Sequence, residues 1–207
     1  MHISEGVLSP QVLIAGAALA AAGTAIGLRK LDQEKLPLVG VLSATFFVAS
    51  LVQVPAGGPI SMHLVLNGVC GLLLGWAAFP AILVGLILQA LLFQFGGLTT
   101  LGVTTFNIAA PAVLMGFVCR KGVESRHPAV RMVSEFLCGS CSVLLAALGV
   151  AAALMATGQS FWTYAATEVL VHIPVMIIEG IFTMFAVEFL LKVRPEMFHY
   201  SSASVHG

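Results

Sequence analysis

Charged side chains are scarce in this sequence: they make up 9% of its 207 residues, against about 25% in soluble domains. That is too little polar side chain to cover a water-facing surface. With 59% hydrophobic residues and a mean hydropathy of +1.04, the expected solvent is lipid. The formal net charge is +0, so the basic footprint of a nucleic-acid binder is missing. No long polar linker divides the chain, and residues 1–207 read as a single domain. No Lys or Arg precedes Arg29, so the start lacks the basic region of a secretory signal; its first residues are expected to stay in the mature protein. The G-x-x-x-x-G-K-[ST] loop is absent, which excludes ATP hydrolysis by this chain. So are H-E-x-x-H and G-x-S-x-G, the marks of two large hydrolase classes. Cys138 and Cys141 have C-x-x-C spacing, but no βαβ pattern or second pair accompanies them. They are expected, with Cys70 and Cys119, as small residues at helix interfaces.

What is present is apolar sequence in long runs. A membrane helix needs about 20 mostly apolar residues, and seven segments qualify. They cover residues 10–28, 36–54, 62–95 as two spans with a turn at 76–80, 105–118, 130–157 and 164–191. Ser9 and Pro10 suit an N-cap and first helical position. In this layout every Lys and Arg falls on one side: Arg29, Lys30 and Lys35, then Arg120, Lys121, Arg126 and Arg131, then Lys192 and Arg194. The positive-inside rule makes that side cytoplasmic. The expected fold is therefore all-α, a polytopic bundle of seven transmembrane helices in a cell membrane, N-terminus outside and C-terminus cytoplasmic.

The polar residues of the outer loops gather in three places: the N-terminal segment, Pro55-Ala-Gly-Gly-Pro-Ile-Ser61-Met-His63, and Gly96-Gly-Leu-Thr99-Thr100-Leu-Gly102 with Asn107 beyond it. Glycine pairs permit close backbone approach, and irregular backbone at membrane depth must line a cavity or be buried in protein. The three segments are expected to fold inward together. His2 gives them a chemistry. The Met1 amine and the His2 backbone nitrogen close a five-membered chelate ring on a metal, and the backbone nitrogen with His2 Nδ1 closes a six-membered one. Three nitrogens then lie in a plane, with a fourth corner open to an imidazole such as His63. Planar nitrogen coordination suits Ni(II) or Cu(II) better than Zn(II), Mg(II) or Ca(II). On spacing alone a second reading stands beside this one: a solvated terminus, with His63 hydrogen-bonding at a helix end.

Met-His-Ile-Ser-Glu-Gly, Pro-Ala-Gly-Gly-Pro-Ile-Ser-Met-His-Leu and Gly-Gly-Leu-Thr-Thr-Leu-Gly, in that order, resemble the CbiM/NikM family, the substrate-binding (S) components of energy-coupling factor transporters for nickel and cobalt. The resemblance implies a six-helix S-component core with an extra N-terminal helix. It implies a planar four-nitrogen site from Met1, His2 and His63, with Ni(II), or Co(II), as transported substrate. The implied partners are a membrane coupling (T) component, two ATPase subunits and a small accessory membrane protein, here expected as a separate chain. Ser4, Glu5, Ser61, Thr99 and Asn107 are candidates for the shell around the ligands.

Glu168 and His172 are spaced i, i+4 on one helix face, with Glu179 deeper. Intramembrane ionisable groups are functional candidates by default, here as orienting partners of a ligand, as an ion route, or as a pair that locks packing. Glu135 is placed to pair with Arg131. Small-residue spacing at Gly16, Ala20 and Gly23, or at Gly40 and Ala44, offers a docking face for the coupling component; family logic favours the second. Two rival functions remain weaker. An intramembrane enzyme on Glu168, His172 and Glu179 lacks any known motif, and a secondary transporter should show internal repeats, which are not found.

Overall fold

The computed structural model describes residues 2–51, 53–57, 60–158 and 162–199. Nearly all of this is helix. The order is β1 (His2–Ile3), α1 (Pro10–Arg29), α2 (Leu36–Ala49), β2 (Gln53–Gly57), β3 (Ile60–His63), α3 (Asn67–Leu74), α4 (Ala78–Phe93), α5 (Leu101–Val123), α6 (Pro128–Thr157), α7 (Trp162–Val171), α8 (Ile173–Val193) and α9 (Glu196–His199). Among the described residues, five stretches are long and apolar enough to cross a membrane: Pro10–Arg29, Asn67–Phe93, Leu101–Val123, Pro128–Thr157 and Ile173–Val193. Around them Ile14, Leu91, Leu92, Phe185 and Phe189 lie exposed, an apolar exterior that water would not tolerate and lipid does. The chain is a multi-pass membrane protein.

Three details differ from the layout expected from sequence. α2 stops at Ala49 rather than running to residue 54, because the chain turns into strand β2. The stretch from residue 62 begins as strand β3, and the helix that follows is only 8 residues long before a 3-10 turn at Gly75–Ala77. Gly75 sits at φ 53°, a backbone that a side-chain-bearing residue rarely adopts, and it breaks an otherwise continuous apolar run. The last expected span is two helices, α7 and α8, meeting at His172.

The strands are an addition to the all-α expectation. They form one small antiparallel sheet in the order β1-β3-β2. It gathers the chain start, the end of α2 and the approach to α3 at one end of the bundle. All nine basic residues lie at the other end, in the last turns of α1, α5 and α8, the first turn of α6 and the loops beside them.

Membrane helices gain little from burying apolar side chains among one another, so close packing and interhelical hydrogen bonds hold the bundle. The close approach is plainest between α3 and α5. A Cβ on Gly71 would lie 1.8 Å from the Ala112 carbonyl oxygen, and one on Gly116 would lie 2.4 Å from that of Gly71. Ser43 Oγ of α2 donates to the Ala81 carbonyl of α4 at 2.8 Å. Gly16, Ala20, Gly23 and Gly27 of α1 are buried, with Val103, Phe79 and Trp76 against the glycines. The small-residue stripe of α1 is therefore used inside the bundle. Gly40 and Ala44 of α2 are exposed, and nothing lies within 4 Å of a Cβ built on Gly40.

A second core sits at the sheet end. Ile3 and Leu8 are buried with Val103 of α5 and Val150 and Leu154 of α6. Ser9 precedes α1 in extended backbone as expected of an N-cap, but its side chain makes no capping bond. Its N–H instead donates to Thr157 Oγ1 at 3.2 Å, which ties the start of α1 to the end of α6.

Candidate metal centre

The N-terminal segment is held in place by three independent devices. The first is the sheet: His2 pairs with Ser61 and Ile3 with Ile60. The second is Thr100, 1% exposed, whose hydroxyl donates to the Ile3 carbonyl at 2.9 Å. The third is Glu5, whose carboxylate accepts from the Thr99 N–H at 3.1 Å and from the Thr99 hydroxyl. A Cβ on Gly97 would lie 2.5 Å from Glu5 Cδ, so the glycine makes room for this contact. The Thr99 hydroxyl, and then its N–H, hold the Glu5 carboxyl below the usual carboxylate range. The first and third polar clusters of the sequence are thus joined by Glu5 and Thr99, and the first and second by the ladder from His2 to Ser61.

His63 ends β3, two residues beyond Ser61, and is 3% exposed. Its Nδ1 lies 3.0 Å from the Leu64 carbonyl oxygen. A carbonyl can only accept, so Nδ1 carries the proton in this geometry and Nε2 is the basic nitrogen. Across the ladder His2 faces Ser61, and β3 reaches His63 on the side toward which the chain start lies. The side chains of His2 and Ser61 lie outside the described residues, as does Met1.

The other candidates divide. Ser4, Glu5 and Thr99 are exposed at the sheet end. Glu168 and His172 are fully buried on and just after α7, which packs against β3. His172 Nδ1 lies 2.7 Å from the Glu168 carbonyl oxygen and 3.4 Å from its carboxylate. His172 Nε2 and both Glu168 carboxylate oxygens have no hydrogen-bond partner among the described residues. Asn107 faces α6, where a Cβ on Gly149 would lie 2.8 Å from Asn107 Oδ1. Glu135 is fully buried, 3.9 Å from Arg131. Arg131 spends its fork on Glu188 of α8, at 2.6 and 3.0 Å, a partner the i, i+4 spacing did not suggest. The four thiols are free, and Cys138 donates to the Gly68 carbonyl across the α3–α6 contact at 3.7 Å. Thr100 belongs to the third polar cluster of the sequence but not to its shell candidates, although it directly follows Thr99, which does.

Among the described residues no three His, Cys, Asp or Glu side chains converge as a metal site. The CbiM family profile, described as the cobalt uptake substrate-specific transmembrane region, matches residues 2–197. The chain belongs to the CbiM family. It is 40% identical over 202 residues to a putative metal transport protein of Haemophilus influenzae, covering 95% of this chain and 96% of that one. It is 31% identical over 212 residues to the putative cobalt transport protein CbiM 1 of Methanocorpusculum labreanum, covering 95% and 91%. A fused nickel transport protein NikMN of Rhodobacter capsulatus is 38% identical over 114 residues, 53% of this chain and 33% of that one. The fold matches a solved transition metal transporter over 100% of both chains, with a TM-score of 0.74 at 23% identity. This CbiM-type chain is a membrane component of cobalt or nickel transport and not an enzyme.

Proposed function

We propose that the chain captures Ni(II) at its sheet end in a planar site of four nitrogens and delivers it into the cell as the S component of an energy-coupling factor transporter. The ligands are the Met1 amine, the His2 amide nitrogen and imidazole, and His63 Nε2. The observation that carries this reading is the β1–β3 register. His2 opposite Ser61 makes position 63 its diagonal neighbour on the same face of the ladder, and diagonal neighbours lie about 7–8 Å apart. Two imidazoles across that gap can reach one ion. Thr100, Glu5 and the buried Ile3 hold the terminal segment so that the chelate is assembled before the ion arrives.

The membrane is the cytoplasmic membrane, with the sheet end outside and the basic end inside. ATP hydrolysis comes from two partner ATPases through a membrane coupling component, with a small accessory membrane protein. The exposed Gly40 and Ala44 of α2 are the docking face, since the stripe of α1 is buried. Co(II) in place of Ni(II) is the second reading, favoured by the cobalt-named relatives. The metal that copurifies, with its visible spectrum, separates the two. Calorimetric titration of nickel into the native-start protein and one extended by a residue before Met1 tests the site itself; equal affinities rule it out.

A further inference from the structure

Glu179 lies on α8, 0% exposed, and its Oε1 accepts from two main-chain N–H groups, those of Val65 and, at 2.8 Å, Leu66. These residues follow His63 directly. The N–H of Val65 and the C=O of Leu64 belong to one peptide group, and in a trans peptide they point in opposite directions. Glu179 holds one end of that peptide, and the other end takes His63 Nδ1 at 3.0 Å. The chain of contacts is continuous: carboxylate, peptide, imidazole.

We infer that Glu179 is a positioning residue for the metal site, acting on His63 through the Leu64–Val65 peptide. A metal-bound histidine is ordinarily oriented by a carboxylate or main-chain carbonyl on its other nitrogen, which fixes the tautomer and raises ligand basicity. Here both are present in series, and hydrogen bonds in a chain polarise one another. Leu66 holds a left-handed backbone, φ 54°, as the N-cap of α3, with no side-chain cap. Glu179 supplies from another helix the negative group that a helix start favours. The result is a rigid turn between β3 and α3, clamped to α8, with His63 at its edge. Oε1 accepts whether or not the other oxygen carries a proton, so the need is for an acceptor at this point.

This inference rests on His63 being a ligand, and the experiment separates the two claims. Nickel affinity is measured by calorimetry for the native-start parent, Glu179→Gln, Glu179→Ala and, as a control one turn along α8, Thr183→Val. Amide exchange of the segment holding residues 65 and 66 is followed in the same proteins without metal. A glutamine keeps an acceptor oxygen, so Glu179→Gln should bind within a few-fold of the parent. Glu179→Ala should lose about 10–100-fold, as outer-shell changes do, and exchange faster at 65 and 66. Thr183→Val should do neither. Faster exchange in Glu179→Ala with unchanged affinity overturns the positioning role. If Glu179→Ala is not monodisperse, Glu179→Gln decides: retained affinity and protection support the relay, and loss of both overturns it. A parent that binds no nickel overturns the metal reading, and the exchange result alone then judges the clasp.

Discussion

Two buried histidines on neighbouring elements make an instructive pair. His63 at the end of β3 and His172 at the α7–α8 joint each turn Nδ1 toward a main-chain carbonyl, at 3.0 and 2.7 Å. Each therefore has Nε2 as its basic nitrogen. What surrounds them differs. His172 takes the carbonyl one helical turn back and has the Glu168 carboxylate 3.4 Å from the same nitrogen. His63 ends a strand whose ladder register runs toward the chain start. The first environment ties His172 to the helical turn before it; the second sets His63 at the end of a strand that pairs toward the chain start. The same imidazole acquires its role from the backbone beside it.

The largest expected effect comes from altering the terminal amine, the ligand proposed beside His63. One residue added before Met1 turns the terminal amine into an amide, and nickel binding should fall below detection by calorimetry. A tag after Gly207 should leave it unchanged. Next, His63→Ala should lower nickel affinity by orders of magnitude with the protein still monodisperse, while His172→Ala should stay within a few-fold; equal losses at both would erase the distinction. Third, binding releases protons from an amine with an ordinary pKa of about 7.7–8.0 and imidazoles near about 6.5, so titrations between about pH 7 and 5 should show affinity falling steeply. Gly40→Leu, on the open face of α2, should leave nickel affinity intact and reduce ATP-driven uptake in the assembled transporter. The smallest effect concerns Glu5. Its carboxyl is held below its ordinary range in the folded chain, so its contribution is present above the unfolded pKa and lost as pH falls through the folded one. Thr99→Val should make acid unfolding slightly less steep in that window, read by thermal melts.

Much of this architecture is legible in the residues. Long apolar runs and one-sided Lys and Arg give the helices and the basic end, because both follow from composition over many positions. Glu5, Thr99 and His63 were found as polar residues in glycine-rich loops, where side chains have little reason to be polar unless they meet. The sheet was not legible: His2–Ile3 is too short for any periodicity, and Pro55 and Gly57 weaken β2 as a strand pattern. Nor was the clasp. Glu179 and Leu66 are 113 residues apart, and no local spacing records a carboxylate that caps another helix. Ile3, which the sequence marks only as apolar, is 2% exposed and anchors the N-terminal segment.

The length of α6 has a mechanical consequence. Its 30 residues measure about 45 Å, against a hydrocarbon layer of about 30 Å, so it must lean or overhang. It is pinned to α8 at two heights, by Arg131 on Glu188 near one end and by Gly139 against Glu179 further along. At its far end Thr157 receives the N–H of Ser9. Two rods joined at two points tilt as one, so α6 and α8 form a lever. A line of contacts therefore runs from the basic end along α6 to the start of α1.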